Sequence, residues 1–318
     1  MSESLIDWPA LERLRQAYLN ASAGQQDYWL SEDDLASYDA TFAQRIGWKW
    51  DHVLTELQGR GWTSPPGEIL DWGCGTGVAG RAFLDYFGRT STTALRVWDR
   101  STRAMDWAAA KARHRFPGLP VHAGLGEAPA VLLLSHVLTE LDELQRAQLL
   151  EIARQAQAVL WIEPGTHAAS RALIAAREVL RVEFNVVGPC VHAGRCGLLD
   201  PSLERHWCHH FAEPPNSIFQ DSFWREFSER AGIDLRSLPL SWLALDRRPQ
   251  TNWAPTAHRV LGRPRVYKAH ALVFGCFAGG AREYTVQKRE QPEQFRALKK
   301  ERFASLQKGA PIDGAGEG

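Results

Sequence analysis

Apolar positions recur along this chain with two different periods. Near the N-terminus Leu11, Leu14 and Tyr18 fall three and four apart, the spacing of one helical face, and SEDDLASYDATF opens a second helix that Ser31 can cap, with acids filling its first turn. Trp48, Trp50 and Trp62 read as core aromatics of this preamble rather than a binding stripe, and SPPG at residues 64–67 closes it with a turn. From Glu68 the pattern alternates. EILDW, ALRVWD, AVLLLSHV and AVLWIEP are apolar runs of strand length, and VAGRAFLDYF, STRAMDWAAAKARHRF, ELDELQRAQLLEIARQA and ASRALIAAREVLR carry helical spacing, the second of them capped by Ser101. Short apolar strands alternating with helices predict a parallel, doubly wound sheet. After a turn-rich stretch, SFWREFSERAGI predicts a helix, and SWLAL and HALVFG predict strands that resume this sheet and close it near Gly275. No internal repeat is seen, and only the tail after Gly309 is low in complexity.

Composition narrows the class without changing that picture. With 318 residues, 44% hydrophobic and 23% charged, the chain reads as soluble and globular, one large domain with additions. The N-terminus carries early acids and no apolar signal region, and no run of eighteen apolar residues occurs, so a cytoplasmic protein is expected, with an organellar one as the alternative. Five cysteines are too few for a disulfide framework in a chain of this size, which leaves thiols or metal ligands. The zero net charge hides a gradient: residues 1–245 hold 23 Lys and Arg against 30 Asp and Glu, whereas residues 246–308 hold 14 against 5. A basic C-terminal part points to nucleic-acid phosphates, unless it is simply the solvated face of helices such as QPEQFRALKKERFASLQK.

The first predicted strand runs into LDWGCGTGVAG, which puts Gly73, Gly75 and Gly77 in the strand-to-helix turn, where glycine lets the backbone approach a ligand. Gly75, Gly77 and Gly80 also spell the G-x-G-x-x-G of dinucleotide sites, with Asp99 downstream. Asp71 separates the two possibilities: a carboxylate beside the turn repels a pyrophosphate and suits a cation. The stretch ILDWGCGTG resembles the first motif of class I S-adenosylmethionine-dependent methyltransferases, over about residues 68–181. The resemblance implies a Rossmann-like sheet and a methyl-donor site made by Asp71, Gly73, Cys74, Gly75 and Gly77, with Asp99 ending the second strand to hold ribose hydroxyls and Ser135 ending the fourth. The segment VHAGLGEAP offers only Glu127 or backbone to the adenine amine. SHVLTEL stands where amino-group methyltransferases carry an Asn/Asp/Ser-Pro-Pro-aromatic tetrad, so no catalytic residue is assigned, and His136 and Glu140 are the only local acid or base candidates.

Three of the five cysteines, Cys190, Cys196 and Cys208, lie within nineteen positions of a Gly- and Pro-rich stretch, and Cys276 follows in a late strand. The stretch is too rich in turn residues to form a core of its own, so something must order it. Spacing alone leaves three alternatives open: structural zinc completed by His192, His206, His209 or His210, an iron-sulfur cluster on four thiolates, or buried free thiols. A methyltransferase-like sheet followed by GPCxHxGxC, then WCHH and a distant Cys in VFGCFAGG, resembles the methyltransferase-like family associated with the small ribosomal subunit in mitochondria and bacteria, over roughly residues 38–287. Val191 and His210 depart from that family's pattern around the thiols.

This second resemblance implies a [4Fe-4S] site on Cys190, Cys196, Cys208 and Cys276, and a role in small-subunit assembly or rRNA methylation with the small ribosomal subunit and its RNA as partners. The expected organisation is an N-terminal helical segment (1–64), an S-adenosylmethionine-binding core (65–187), a cysteine-rich metal-binding insertion (188–212), completion of the sheet (213–287) and a basic tail (288–318), with Arg247 to Lys268 and the tail reaching phosphates. The alternative is a small-molecule methyltransferase with structural zinc. No membrane partner is expected, and oligomeric state and turnover are not legible.

Overall fold

A computed structural model of the chain describes residues 6–19, 27–88, 91–250, 254 and 256–309. Three helices precede the sheet: α1 (Trp8–Leu19), α2 (Glu32–Ala40) and α3 (Phe42–Gly59). Ser31 caps α2 as its sequence suggests, its Oγ accepting from Asp34 N at 3.1 Å, and three acids meet the positive end of the helix dipole. Trp50 and Trp62 are buried in the main core and Trp48 packs against it.

The alternating region folds as β1 (Gly67–Trp72), α4 (Val78–Phe87), β2 (Thr92–Trp98), α5 (Thr102–Arg115), β3 (Val121–Ala123), β4 (Val131–Ser135), α6 (Glu143–Gln155), β5 (Ala158–Pro164) and α7 (His167–Leu180). It continues through β6 (Asn185–Gly188), β7 (His210–Ala212), α8 (Ser222–Ala231) and β8 (Leu238–Asp246). These strands form one sheet in the order β3-β2-β1-β4-β5-β8-β6, with β7 also on β8. From β3 to β5 every pairing is parallel, and β8 inserts antiparallel between β5 and β6. Ile69, Val97, Leu133 and Ile162 meet α3, α4 and α5 on one face, while Leu70, Leu132, Leu134 and Trp161 meet α6 and α7 on the other. Burial on both faces is why these strands read as unbroken apolar runs. The result is a mixed α/β fold on a parallel-dominated sheet, consistent with the expected Rossmann-like methyltransferase architecture.

Two expectations are corrected. HALVFG does not extend this sheet: β9 (His258–Val260), β10 (Arg265–Val266), β11 (His270–Phe277), β12 (Gly280–Gln287) and β13 (Leu306–Gln307) build a second one, ordered β10-β11-β9-β13 with β12 also on β11. Both edges of β8 are already taken, and β11 folds back through a two-residue connection onto β12 along its full length. Val273, Tyr284 and Val286 pack against Phe295 and Leu298 of α9 (Pro292–Lys299) to give this sheet its own small core. Second, Ser101 sits at the start of α5 but does not cap it with its hydroxyl, which donates instead to Asp27 Oδ2 at 2.8 Å. No helix among the described residues is long and apolar enough to cross a membrane. The low-complexity end, residues 310–318, lies outside the described residues.

Candidate functional site

β1 delivers the chain into a turn where Gly73, Gly75 and Gly77 have φ of +67°, +49° and +77°, the left-handed region open to glycine at little cost. Space is as restrictive as conformation at two of them. A Cβ on Gly73 would lie 2.7 Å from Val137 Cγ1, and one on Gly77 would lie 2.8 Å from Ala108 Cβ. Asp99, just past β2, ties the turn down: Oδ2 accepts from Gly75 N at 2.9 Å and Oδ1 from Ser101 N at 3.0 Å. Burial raises its pKa.

Asp71 sits one layer below the glycines. Buried beneath the turn, it accepts from Gly80 N at 2.9 Å and so holds the first turn of α4, and it is not part of the cavity lining described next. Its Oδ1 has no hydrogen-bond partner among the described residues, and burial pushes the group up to about 7.

A cavity of about 910 Å³ opens at the C-terminal ends of β1, β2 and β4, where strand order reverses between β1 and β4. Gly73, Cys74, Gly75, Asp99 and Ser135 line its sheet side, whereas Glu127 is exposed and does not line it. Cys74 is a buried thiol whose pKa burial raises well above the usual value, so it is an inert small side chain here. Facing the turn is an aromatic wall the sequence did not announce. Tyr18 and Tyr28 meet edge to face at 5.3 Å, and Trp29 meets Tyr38 likewise at 5.2 Å. Burial raises all three phenols, which keeps them neutral. Glu140 also lines the cavity, pushed up to about 8 chiefly by burial.

Deeper in the cavity stands a basic pair, half of which the sequence hid. Lys49 of α3 places Nζ 3.4 Å from Nε2 of His136, the residue after β4. His136 is a non-glycine at φ +60°, a conformation that costs about 1–3 kcal/mol and persists only when its surroundings hold it. Its backbone N donates to Ile162 O at 2.8 Å, and Trp50 Nε1 donates to the neighbouring Ser135 Oγ at 3.1 Å. Burial, then Arg45, brings Lys49 down to about 7, and burial and Lys49 hold His136 well below its usual value. Fully buried Glu163 of β5 accepts at Oε1 from Val137 N, Leu138 N and Trp161 Nε1, leaves Oε2 without a partner among the described residues, and is pushed up to about 7 by burial. A signal for Lys49 exists: it occupies the buried stripe Ile46, Lys49, Trp50, Val53 of α3.

The cysteine stretch is wedged between α7 and the second sheet. Cys196 and Cys276 are buried with Ile174, Leu198 and Leu261, Cys208 packs against them, and all four thiols of the set are free. They share one neighbourhood: besides burial, Cys190, Cys196 and Cys276 each raise Cys208, and Cys190 and Cys196 each raise Cys276. Arg177 of α7 donates to His192 O at 3.1 Å and Gly194 O at 3.0 Å, and Glu178 accepts from Cys196 N at 3.1 Å. From the other side Arg259 of β9 donates to Pro189 O at 2.8 Å and to Glu56 of α3 at 2.6 Å. Cys208 Sγ lies 3.7 Å from His210 Nε2 and Cys276 Sγ 3.8 Å from His192 Nε2, whereas His206 stacks on Phe274 and His209 on Trp207. As the side chains stand, no group of three or more His, Cys, Asp or Glu among the described residues could hold a metal ion.

Part of the charge surplus of the C-terminal part is engaged within the chain, and of its paired bases Arg259 is buried. Arg247 donates to Ala156 O, Arg248 pairs with Asp246, Arg259 with Glu56, Arg263 with Glu301 and Arg265 with Glu283. Exposed bases remain farther on, at Lys288, Arg289, Lys299, Lys300 and Arg302.

The sequence matches the family described as mitochondrial small ribosomal subunit Rsm22 over residues 40–306. That description gives no support to the expected cytoplasmic location. No curated protein matches the chain. Among solved structures it is similar to a candidate RNA methyltransferase of Pyrococcus horikoshii, at 12% identity over 74% of this chain and 96% of that one, with a TM-score of 0.38. A candidate methyltransferase of Thermoplasma acidophilum gives 11% over 63% and 76%, with a TM-score of 0.40. TrmK of M. capricolum, solved with S-adenosyl-homocysteine, gives 9% over 63% and 69%, with a TM-score of 0.33. Likeness at this level says nothing of what the present chain binds.

Proposed function

This chain belongs to the mitochondrial small ribosomal subunit Rsm22 family, and from that membership we propose that it is an S-adenosylmethionine-binding, iron-sulfur protein acting on the small ribosomal subunit or its RNA, as an assembly factor or an rRNA methyltransferase. The observation that carries the donor site is the cavity at the strand-order reversal, floored by the glycine turn and Asp99. Its volume suits a nucleoside-sized ligand. Gly73, Cys74, Gly75 and Ser135 would hold the ligand against the sheet, with Asp99 beside the ribose and the tyrosine wall excluding water. When bound, the donor supplies an electrophilic methyl group on a sulfonium.

The donor set at the other site fits an iron-sulfur cluster in number and kind: four free thiols, of which Cys196, Cys208 and Cys276 pack together beside α7 and Cys190 packs on the neighbouring core of α6 and α7. Cys190, Cys196, Cys208 and Cys276 would hold it, and loading has to draw the side chains in from where they stand. Anaerobically purified protein is expected to carry about four iron and four sulfide per chain. One zinc and no iron favours the small-molecule methyltransferase with structural zinc instead.

Co-sedimentation with purified small ribosomal subunits tests the function itself. Binding is expected, weakening as salt rises because the exposed bases at Lys288, Arg289, Lys299, Lys300 and Arg302 meet phosphates. No association at low salt contradicts the proposal.

A further inference from the structure

Resting on the methyl-donor site proposed above, we infer that Lys49 is the base that takes the proton from the methyl acceptor, which makes the acceptor an N–H or O–H nucleophile of RNA. The glycine turn with Asp99 and the Lys49–His136 pair line the same 910 Å³ cavity, so a donor seated on the turn and an acceptor beside Lys49 occupy one continuous space. The amine is nine-tenths buried, and its close neighbour is an imidazole nitrogen at 3.4 Å. A lysine placed only for packing or charge would extend to solvent or to a carboxylate. Its surroundings are held rigidly: His136 keeps its left-handed backbone through Ile162 O, and Trp50 next along α3 is tied to Ser135.

The titratable groups facing Lys49 are Arg45 on its own helix, His136 after β4 and Glu163 on β5. Burial and Arg45 disfavour the ammonium more than Glu163 favours it, and the amine titrates at about 7. Above that pH it is a free base.

In the transfer step the acceptor's lone pair attacks the methyl carbon. The new N–CH₃ or O–CH₃ bond forms as the carbon–sulfur bond breaks, and that bonding pair stays on sulfur as a neutral thioether. The acceptor's proton passes to Lys49 Nζ, and the resulting ammonium donates to His136 Nε2 in the tautomer that leaves this nitrogen unprotonated.

The test compares the intact protein with Lys49→Met and Lys49→Arg in three measurements. These are S-adenosylmethionine affinity by calorimetry, transfer of tritiated methyl to small subunits from cells lacking the protein, and labelling of Lys49 by fluorodinitrobenzene across pH. Both variants are expected to bind the donor within about threefold of the intact protein yet lose about a hundredfold or more in transfer, the scale of a general base. Transfer by the intact protein should rise with pH to a plateau above about 7, and Lys49 should become reactive over the same range, well below exposed lysines. Undiminished transfer by Lys49→Met, no transfer by intact protein that binds the donor, or labelling of Lys49 together with exposed lysines would each overturn the inference. Parallel losses of affinity and rate would make Lys49 structural and overturn it too. No donor binding by the intact protein instead removes the reading beneath it, and this inference with it.

Discussion

At Gly77 the backbone is left-handed and Ala108 closes the space a side chain would need, so a single methyl tests how rigid the turn is. Gly77→Ala is expected to cost about 1–2 kcal/mol for the backbone alone, with about 1–3 more for overpacking against α5. Denaturant unfolding of the two proteins reads the difference. The place of Asp99 and the glycines at the strand-to-helix turn was legible because backbone chemistry there has few solutions. Lys49, Glu163 and the tyrosine wall were not, since their meaning comes from burial against residues far away in the chain. Lys49 and His136 are 87 positions apart, and only the packing of α3 across the ends of β4 and β5 brings them together.

Among elements, the junction that matters is the one made by Arg259. This side chain on β9 is 1% exposed and bridges Glu56 of α3, Pro189 O beside Cys190 and Ser305 Oγ at 2.7 Å. Arg259→Met leaves Glu56 and Pro189 O with Arg60 as a remaining donor but strips the carboxylate of its buried bidentate partner, and is expected to destabilise by about 3 kcal/mol in the same unfolding experiment. Burial alone would raise Glu56, but Arg259 and Arg60 outweigh it and hold the carboxyl down at about 2. A depressed carboxyl stabilises the fold fully above its unfolded value near 4.5, and that contribution fades as pH falls toward 2. The stability gap between the intact protein and Glu56→Gln should therefore be widest above pH 5 and narrow below 4. Strand-helix alternation from β1 to α7 was readable because both faces of those strands are buried. The second sheet was misassigned although its signal was present: HALVFGCF, Ala278-Gly279 and GAREYTVQ form a hairpin, and β11 alternates between buried and half-buried positions.

At the scale of the whole molecule, the cysteine stretch packs between α7 and β11, while the cavity is lined from α1, α2, α3 and α6 at the strand ends. The C-terminal charge gradient is mostly presented to solvent, and the exception is Arg259, whose buried pairing with Glu56 cannot be counted from composition. Exposed bases cluster on β12, α9 and the segments around them, so replacing Lys299 and Lys300 by Ala should weaken small-subunit binding and flatten its salt dependence without altering donor affinity. Family membership, the cavity and the thiols converge on one account whose foundation is the methyl-donor site. Calorimetric titration of the purified protein with S-adenosylmethionine tests it most directly. The account predicts saturable heat at one site per chain, strongly reduced in Asp99→Ala, and the absence of any binding heat from the folded, intact protein would contradict it.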